Sequence, residues 1–181
     1  MLDHIESDLF PVPKEELNFN QIFLMGHSRG GGISIIKAAE DSRIKKLITL
    51  ASVSSLTSVM PVSEILDTWK QKGVHYIFNS RTKQNMPLYY QLAEDYFANE
   101  QRFNVLKCES QLDIPHLIIH GNQDETVSLD SAIELTEISD TAELFVIKDG
   151  NHVLGGSHPF PESQLPDHAL LAVNKAIDFL S

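Results

Sequence analysis

Three residues in this chain have the types that nucleophilic catalysis uses and follow three apolar runs in turn. Ser28 lies in Gly26-His27-Ser28-Arg29-Gly30, which fits the pattern G-x-S-x-G. A serine hydroxyl is a weak nucleophile and needs a base to take its proton. Histidine fills that role near neutral pH, and a carboxylate fixes which ring nitrogen carries the proton. Asp124 and His152 follow Ser28 in that order. Each of the three comes just after a short apolar run, at 21–25, 115–120 and 143–148. As parallel strands, these runs would deliver all three side chains to one sheet edge.

The residues around each candidate sharpen the assignment. Gly26 and Gly30 are expected to remove side chains that would clash in a tight strand-to-helix turn, so that Ser28 Oγ stands clear of the sheet. Arg29 opens the following helix, and its backbone N–H is expected to face developing negative charge. Its side chain reads as a packing or ion-pair group, and His27 as a structural member of the turn. Asp124 competes with two alternatives: it could cap the helix near Ser128, and Glu125 is an adjacent rival. The spacing Gly-x-x-Asp-x-x-Val over 121–127 selects Asp124. For His152 the alternative is an ordinary loop histidine.

Stepping outward, the chain alternates short apolar runs with helical patterns, the signature of a parallel sheet with crossover helices. Strands are expected at 21–25, 46–51, 115–120 and 143–148, each nearly all apolar, as strands buried on both faces are. Helices are expected at 2–9, stopped by Pro11, and at 30–40, 128–138 and 166–180. Residues 52–113 form a large insertion between two core strands, with helices at 62–70 and 88–100 and a hairpin formed by 74–78 and 83–88. Such excursions often cover a binding site. The insertion's aromatics, among them Trp69, Tyr76, Phe78 and Tyr96, are expected more in the core than in a pocket.

Together these motifs resemble the α/β-hydrolases, in the dienelactone-hydrolase or prolyl-oligopeptidase-like branch. The residues that carry the resemblance are Gly26-His27-Ser28-Arg29-Gly30-Gly31, the run 120–127 from His120 to Val127, and Gly150-Asn151-His152. The resemblance implies Ser28 as nucleophile, His152 as general base and acid, and Asp124 as the group orienting His152. It implies a serine hydrolase of carboxylic esters acting through an acyl-enzyme, with a peptidase as the alternative. Dienelactone hydrolases themselves use a cysteine, and Ser28 stands in that place here. The family's sheet has eight strands with the turn after the fifth, so residues 1–181 are expected to hold the C-terminal half of the fold: a core of 1–51 and 114–181 and a cap-like segment at 52–113. The loop after strand three, which supplies a second oxyanion N–H, has no counterpart in the sequence. Strand 21–25 is then expected to present an open edge. A longer enzyme, a separate N-terminal partner chain or a homodimer through that edge would cover it. A non-catalytic half-domain is the reading from outside the enzyme class.

Composition excludes several other classes. The 181 residues carry a formal net charge of −11, which argues against a nucleic-acid partner, since phosphate binding depends on clustered Lys and Arg. No apolar run reaches the roughly 18 residues of a membrane span, so neither nucleic acid nor membrane is an expected partner; a small-molecule ester is. His116 and His120 lie four apart on a strand with no third ligand at metal spacing, and His158 reads as a loop residue. Gly30-Gly31-Gly32 lacks the Lys-Ser/Thr of a phosphate loop. No metal or cofactor is expected. The lone cysteine, Cys108, excludes an internal disulfide and reads as an inert thiol. It suits a reducing compartment, and the acidic first residues have no apolar core of a secretory signal. The cytoplasm is the expectation, with the compartment otherwise open, since a signal could precede this segment.

Overall fold

A computed structural model describes residues 2–5, 7, 11–59, 63–79 and 82–181. Its main sheet is built outward from a strand with no exposed side. Strand β5 (His116–Gly121) is buried at every position, with Leu117, Ile118 and Ile119 fully enclosed. Such a strand needs cover on both faces, which parallel crossovers provide. The four strands β1 (Ile22–His27), β2 (Ile44–Leu50), β5 and β6 (Ala142–Ile147) form one parallel sheet in the order β1-β2-β5-β6. Helices α2 (Arg29–Glu40) and α6 (Leu129–Glu137) pack one face, where Ile35, Leu47, Ile118 and Leu135 meet. Helix α7 (Asp167–Leu180) covers the other with Ala172 and Ala176 against Leu117, Ile119 and Ile147. This is the expected α/β architecture, and the four core strands match the expected ones within two residues at each end. Strand β2 begins two residues early, at Ile44, because Ile44 is already paired with Ile22 of β1. Among the described residues, β1 has a strand partner on one side only.

At the N-terminus, helix α1 (Leu2–Ile5) is the described part of the expected 2–9 helix, and Leu2 reaches the core. Residues 6 and 8–10 lie outside the described set.

The segment between β2 and β5 holds a 3-10 turn (Leu56–Val59), α3 (Ser63–Lys72), the antiparallel pair β3 (Val74–Asn79) and β4 (Gln84–Tyr89), α4 (Gln91–Ala98) and α5 (Val105–Glu109). The expected helix over 88–100 therefore begins later, at Gln91, because Leu88 and Tyr89 complete the hairpin ladder. Trp69 of α3 is buried at the base of the hairpin. Its indole N–H donates to Leu88 O at 2.8 Å, and Tyr90 meets it edge-on at 5.6 Å. Tyr96 is also buried, but Tyr76, Phe78, Tyr89 and Phe97 are each more than half exposed. The expectation that the aromatics belong to the core holds for Trp69 and Tyr96 and not for these four. A two-stranded ribbon has two faces and two edges, and α3 reaches only part of one.

One buried polar chain ties the insertion to the sheet. Thr49 of β2, His116 of β5 and Glu109 of α5 are all fully buried. Glu109 Oε1 lies 2.9 Å from His116 Nδ1, and His116 Nε2 lies 2.9 Å from Thr49 Oγ1. The pairing satisfies Thr49, both ring nitrogens of His116 and one Glu109 oxygen, and leaves Glu109 Oε2 buried without a hydrogen-bond partner among the described residues.

Candidate active site

The turn between β1 and α2 places Ser28 at φ 58° and ψ −126°, a left-handed conformation rare for a residue with a side chain. The turn closes tightly: Ser28 N–H donates to Leu50 O at 2.9 Å, and Ser28 O accepts from Gly31 N–H at 2.9 Å. A Cβ on Gly26 would collide with the Gly30 backbone and with Ser34 Oγ. A Cβ on Gly30 would meet nothing within 4 Å. The steric demand of the motif thus falls on Gly26 and not, as expected, on Gly30 as well; Gly30 contributes the backbone that Gly26 must clear. The N–H of Arg29, the first residue of α2, has no acceptor among the described residues. The exposed Arg29 side chain lines a cavity of about 360 Å³ between α2 and α4, together with Ile33, Leu92, Tyr96 and Phe103. Ser28, Asp124 and His152 do not line it.

The loops after β5 and β6 are zipped together. Gly121 abuts the Gly150 backbone so closely that a Cβ there would collide with it. Gln123 N–H donates to Gly150 O at 2.9 Å, and Asp149 N–H donates to the Asn122 side chain at 2.6 Å. Asp149 adopts φ 58° in this turn. The result brings Asp124 and His152 into contact. His152 Nδ1 lies 2.7 Å from Asp124 Oδ2, and His152 Nε2 lies 3.0 Å from Ser28 Oγ. The carboxylate accepts from Nδ1–H, which leaves Nε2 free to accept from the serine hydroxyl. Ser28, His152 and Asp124 therefore form one continuous hydrogen-bonded line. The Asp124 side chain is fully buried, while 16% of the His152 side chain is exposed.

Burial opposes the charged form of Asp124. The Val127 N–H, the His152 ring and the Thr126 N–H outweigh it and hold this carboxyl below the usual carboxylate range. Asp124 Oδ1 accepts from Thr126 N–H at 2.8 Å and Val127 N–H at 2.9 Å, which frees Oδ2 for the histidine. Glu125, the sequence rival, is exposed.

Two further histidines reach this line of residues. His27 Nε2–H donates to His152 O at 2.9 Å, and the two rings lie 4.8 Å apart. His120 is fully buried; its Nε2–H donates to Val127 O at 2.9 Å and lies 3.4 Å from Asp124 Oδ2. Sequence reading expected a structural part for His27 and treated His120 as unremarkable. The available signal was its place in the same run as Asp124, four residues upstream. His116 lies away from this site, in the chain with Thr49 and Glu109. Cys108 is buried, and burial raises its thiol above the ordinary range. Among the described residues no group of three or more His, Cys, Asp or Glu could hold a metal ion. Among them, too, no helix is long and apolar enough to cross a membrane.

No model of a known protein family matches the sequence, and no curated protein matches it. Solved structures match it well by shape. A monoacylglycerol lipase from Paleococcus ferrophilus is similar at TM-score 0.62 and 16% identity, over 90% of this chain and 70% of its own. Est1E from Butyrivibrio proteoclasticus is similar at TM-score 0.55 and 22% identity, over 91% and 62%. An esterase domain from a Rhodothermus marinus protein is similar at TM-score 0.54 and 17% identity, over 75% and 54%. The fold is that of the α/β-hydrolases. The chain carries part of it, spanning 54% and 62% of the length of the last two structures. The part it carries includes the four-stranded parallel sheet β1-β2-β5-β6, with Ser28 at the turn after β1.

Proposed function

We propose that the chain is a serine hydrolase that cleaves carboxylic esters through an acyl-enzyme. The observation that carries this reading is the line Ser28–His152–Asp124, with contacts of 3.0 and 2.7 Å, at the ends of three parallel strands. Ser28 Oγ attacks the ester carbonyl while His152 Nε2 takes its proton. The Arg29 N–H, unpaired at the start of α2, donates to the oxyanion. The tetrahedral intermediate collapses as His152 returns the proton to the leaving alcohol. Asp124 stays ionised, holds the His152 tautomer and offsets the charge of the imidazolium. Water, deprotonated by His152, then attacks the acyl-enzyme, and collapse releases the carboxylic acid and restores Ser28.

Esters are favoured over peptides by the neighbours of like fold, which include an esterase domain, a monoacylglycerol lipase and Est1E, one structure of which holds ferulic acid. Within the fold, the motifs at 26–31, 120–127 and 150–152 favour the dienelactone-hydrolase or prolyl-oligopeptidase-like branch. The test is hydrolysis of p-nitrophenyl acetate and methyl ferulate by the chain and by Ser28→Ala. Turnover that disappears in Ser28→Ala supports the reading. Equal rates for both forms refute it, and cleavage of peptide anilides in preference to esters assigns the peptidase alternative.

A further inference from the structure

We propose that the free edge of β3 pairs with β3 of a second copy, joining two hairpins into one four-stranded antiparallel sheet. The inference stands on the ladder register and is independent of the hydrolase reading. Tyr90 N–H donates to Gly73 O at 2.9 Å, and the strands continue in the register Val74↔Tyr89 to Asn79↔Gln84. Antiparallel pairs alternate between bonded and non-bonded. Since Gly73 and Tyr90 are a bonded pair, His75, Ile77 and Asn79 turn their backbone groups inward to β4. Val74, Tyr76 and Phe78 turn theirs outward. Pro87, which has no N–H to give, lies opposite Tyr76 in a non-bonded pair, in agreement with this alternation.

The two outer edges of the hairpin are therefore unlike. On β4 the outward row includes Pro87, which removes a donor and blunts that edge. On β3 the outward N–H and C=O groups of Val74, Tyr76 and Phe78 have no partner among the described residues. The strand reads Val74-His75-Tyr76-Ile77-Phe78-Asn79, with no Lys, Arg, Asp or Glu to repel a neighbour. A hairpin of two strands is marginal without further cover, and Tyr76 and Phe78 are 57% and 58% exposed.

A second copy is the occupant this edge fits, because the row is self-complementary. With a twofold axis at Tyr76, residue 76 pairs with its own copy, and Val74 pairs with Phe78 of the other chain. All three pairs are of the bonded type, giving six backbone hydrogen bonds. On one face the cross-strand rows then read Tyr89, Val74, Phe78, Asn85 and Pro87, Tyr76, Tyr76, Pro87. The exposed aromatics pack against β-branched and aromatic neighbours, the pairs that stabilise sheets. The same edge is what β-strand addition uses for an extended peptide; here the symmetric register favours the copy.

The geometry sets a direct test in the full 181-residue chain. Bonded antiparallel pairs place Cα atoms about 5.5 Å apart, within the span of a disulfide. Tyr76→Cys is expected to form a covalent dimer on mild oxidation, at least about tenfold faster than Ile77→Cys, whose position falls opposite residue 75 of the copy. The native Cys108 is buried and does not compete. Sedimentation of the unaltered chain should show a dimer that grows with concentration. Tyr76→Pro, which removes one outward N–H and leaves the internal ladder intact, should abolish it without changing circular dichroism. If Tyr76→Pro disturbs the hairpin, the contrast between the two cysteine variants decides alone. The proposal is overturned by a chain that stays monomeric at every concentration. It is equally overturned by equal cross-linking at 76 and 77, or by a folded Tyr76→Pro variant that still dimerises through another surface.

Discussion

Ser28 holds a left-handed backbone that costs a residue with a side chain about 1–3 kcal/mol, and its neighbours must sustain that strain. Gly26→Ala would force its methyl into the Gly30 backbone, so ester turnover should fall by about 10² or more as the nucleophile shifts. Gly30→Ala meets open space and should leave turnover nearly unchanged. The pair, compared in one rate assay, separates the two glycines that the motif writes alike. Asp124→Asn should lower kcat by about 10⁴, since the amide favours the wrong histidine tautomer. Because Asp124 is held below the roughly 3.9 of an unfolded aspartate, its contribution to stability is full above that pH and is lost as the pH falls through the lower folded value. Urea unfolding of the wild type and Asp124→Asn should thus show a stability gap at pH 7 that narrows as the pH falls below the ordinary carboxylate range and Asp124 takes up its proton. His120→Ala should lower kcat/KM by about tenfold or more by releasing the 124–127 turn, with His120→Gln restoring part of it through its side-chain N–H. The three principal residues were legible because a strand, a tight turn and a motif coincide at each. His120 was not, because its role is a contact made after the chain folds back on itself.

At the scale of elements, the parallel strands were legible because burial on both faces leaves apolar runs with no alternation, as in β5. The hairpin was legible from the paired runs around Asn79 and Lys83, but its exposure was not. Aromatic residues carry the same apolar signal whether they face a core or an open edge: Trp69 of α3 is buried against the base of the hairpin, while Tyr76 of β3 is exposed. The buried Thr49–His116–Glu109 chain was likewise hidden, since its members lie on three separate elements. His116→Ala should cost about 3 kcal/mol in urea unfolding, because it leaves the Glu109 carboxyl enclosed without its partner. A Glu109→Gln variant should cost less, as the amide still reaches His116. Gly121→Ala is expected to separate the β5 and β6 loops, and with them Asp124 from His152; loss of activity with retained far-ultraviolet circular dichroism would register it.

For the molecule as a whole, the chain presents a four-stranded part of an α/β-hydrolase sheet, with Ser28, His152 and Asp124 joined at one edge. The chain spans only 54% and 62% of the length of two structures of like fold, and no sequence pattern within it could have supplied the geometry of the remainder. On the proposed mechanism, which assigns one oxyanion donor among the described residues, the Arg29 N–H, ester turnover is expected to be about 10²–10³ slower than with two donors. A steady-state rate on p-nitrophenyl acetate, normalised to the concentration of reactive sites, checks it. The central claim, that Ser28 is an activated nucleophile, can be tested without knowing the substrate. A fluorophosphonate probe should label the chain once, with peptide mass spectrometry locating the adduct at Ser28. Labelling should vanish in Ser28→Ala and fall sharply in His152→Ala. Equal labelling of the wild type and Ser28→Ala, or an adduct on any other residue, would contradict the account.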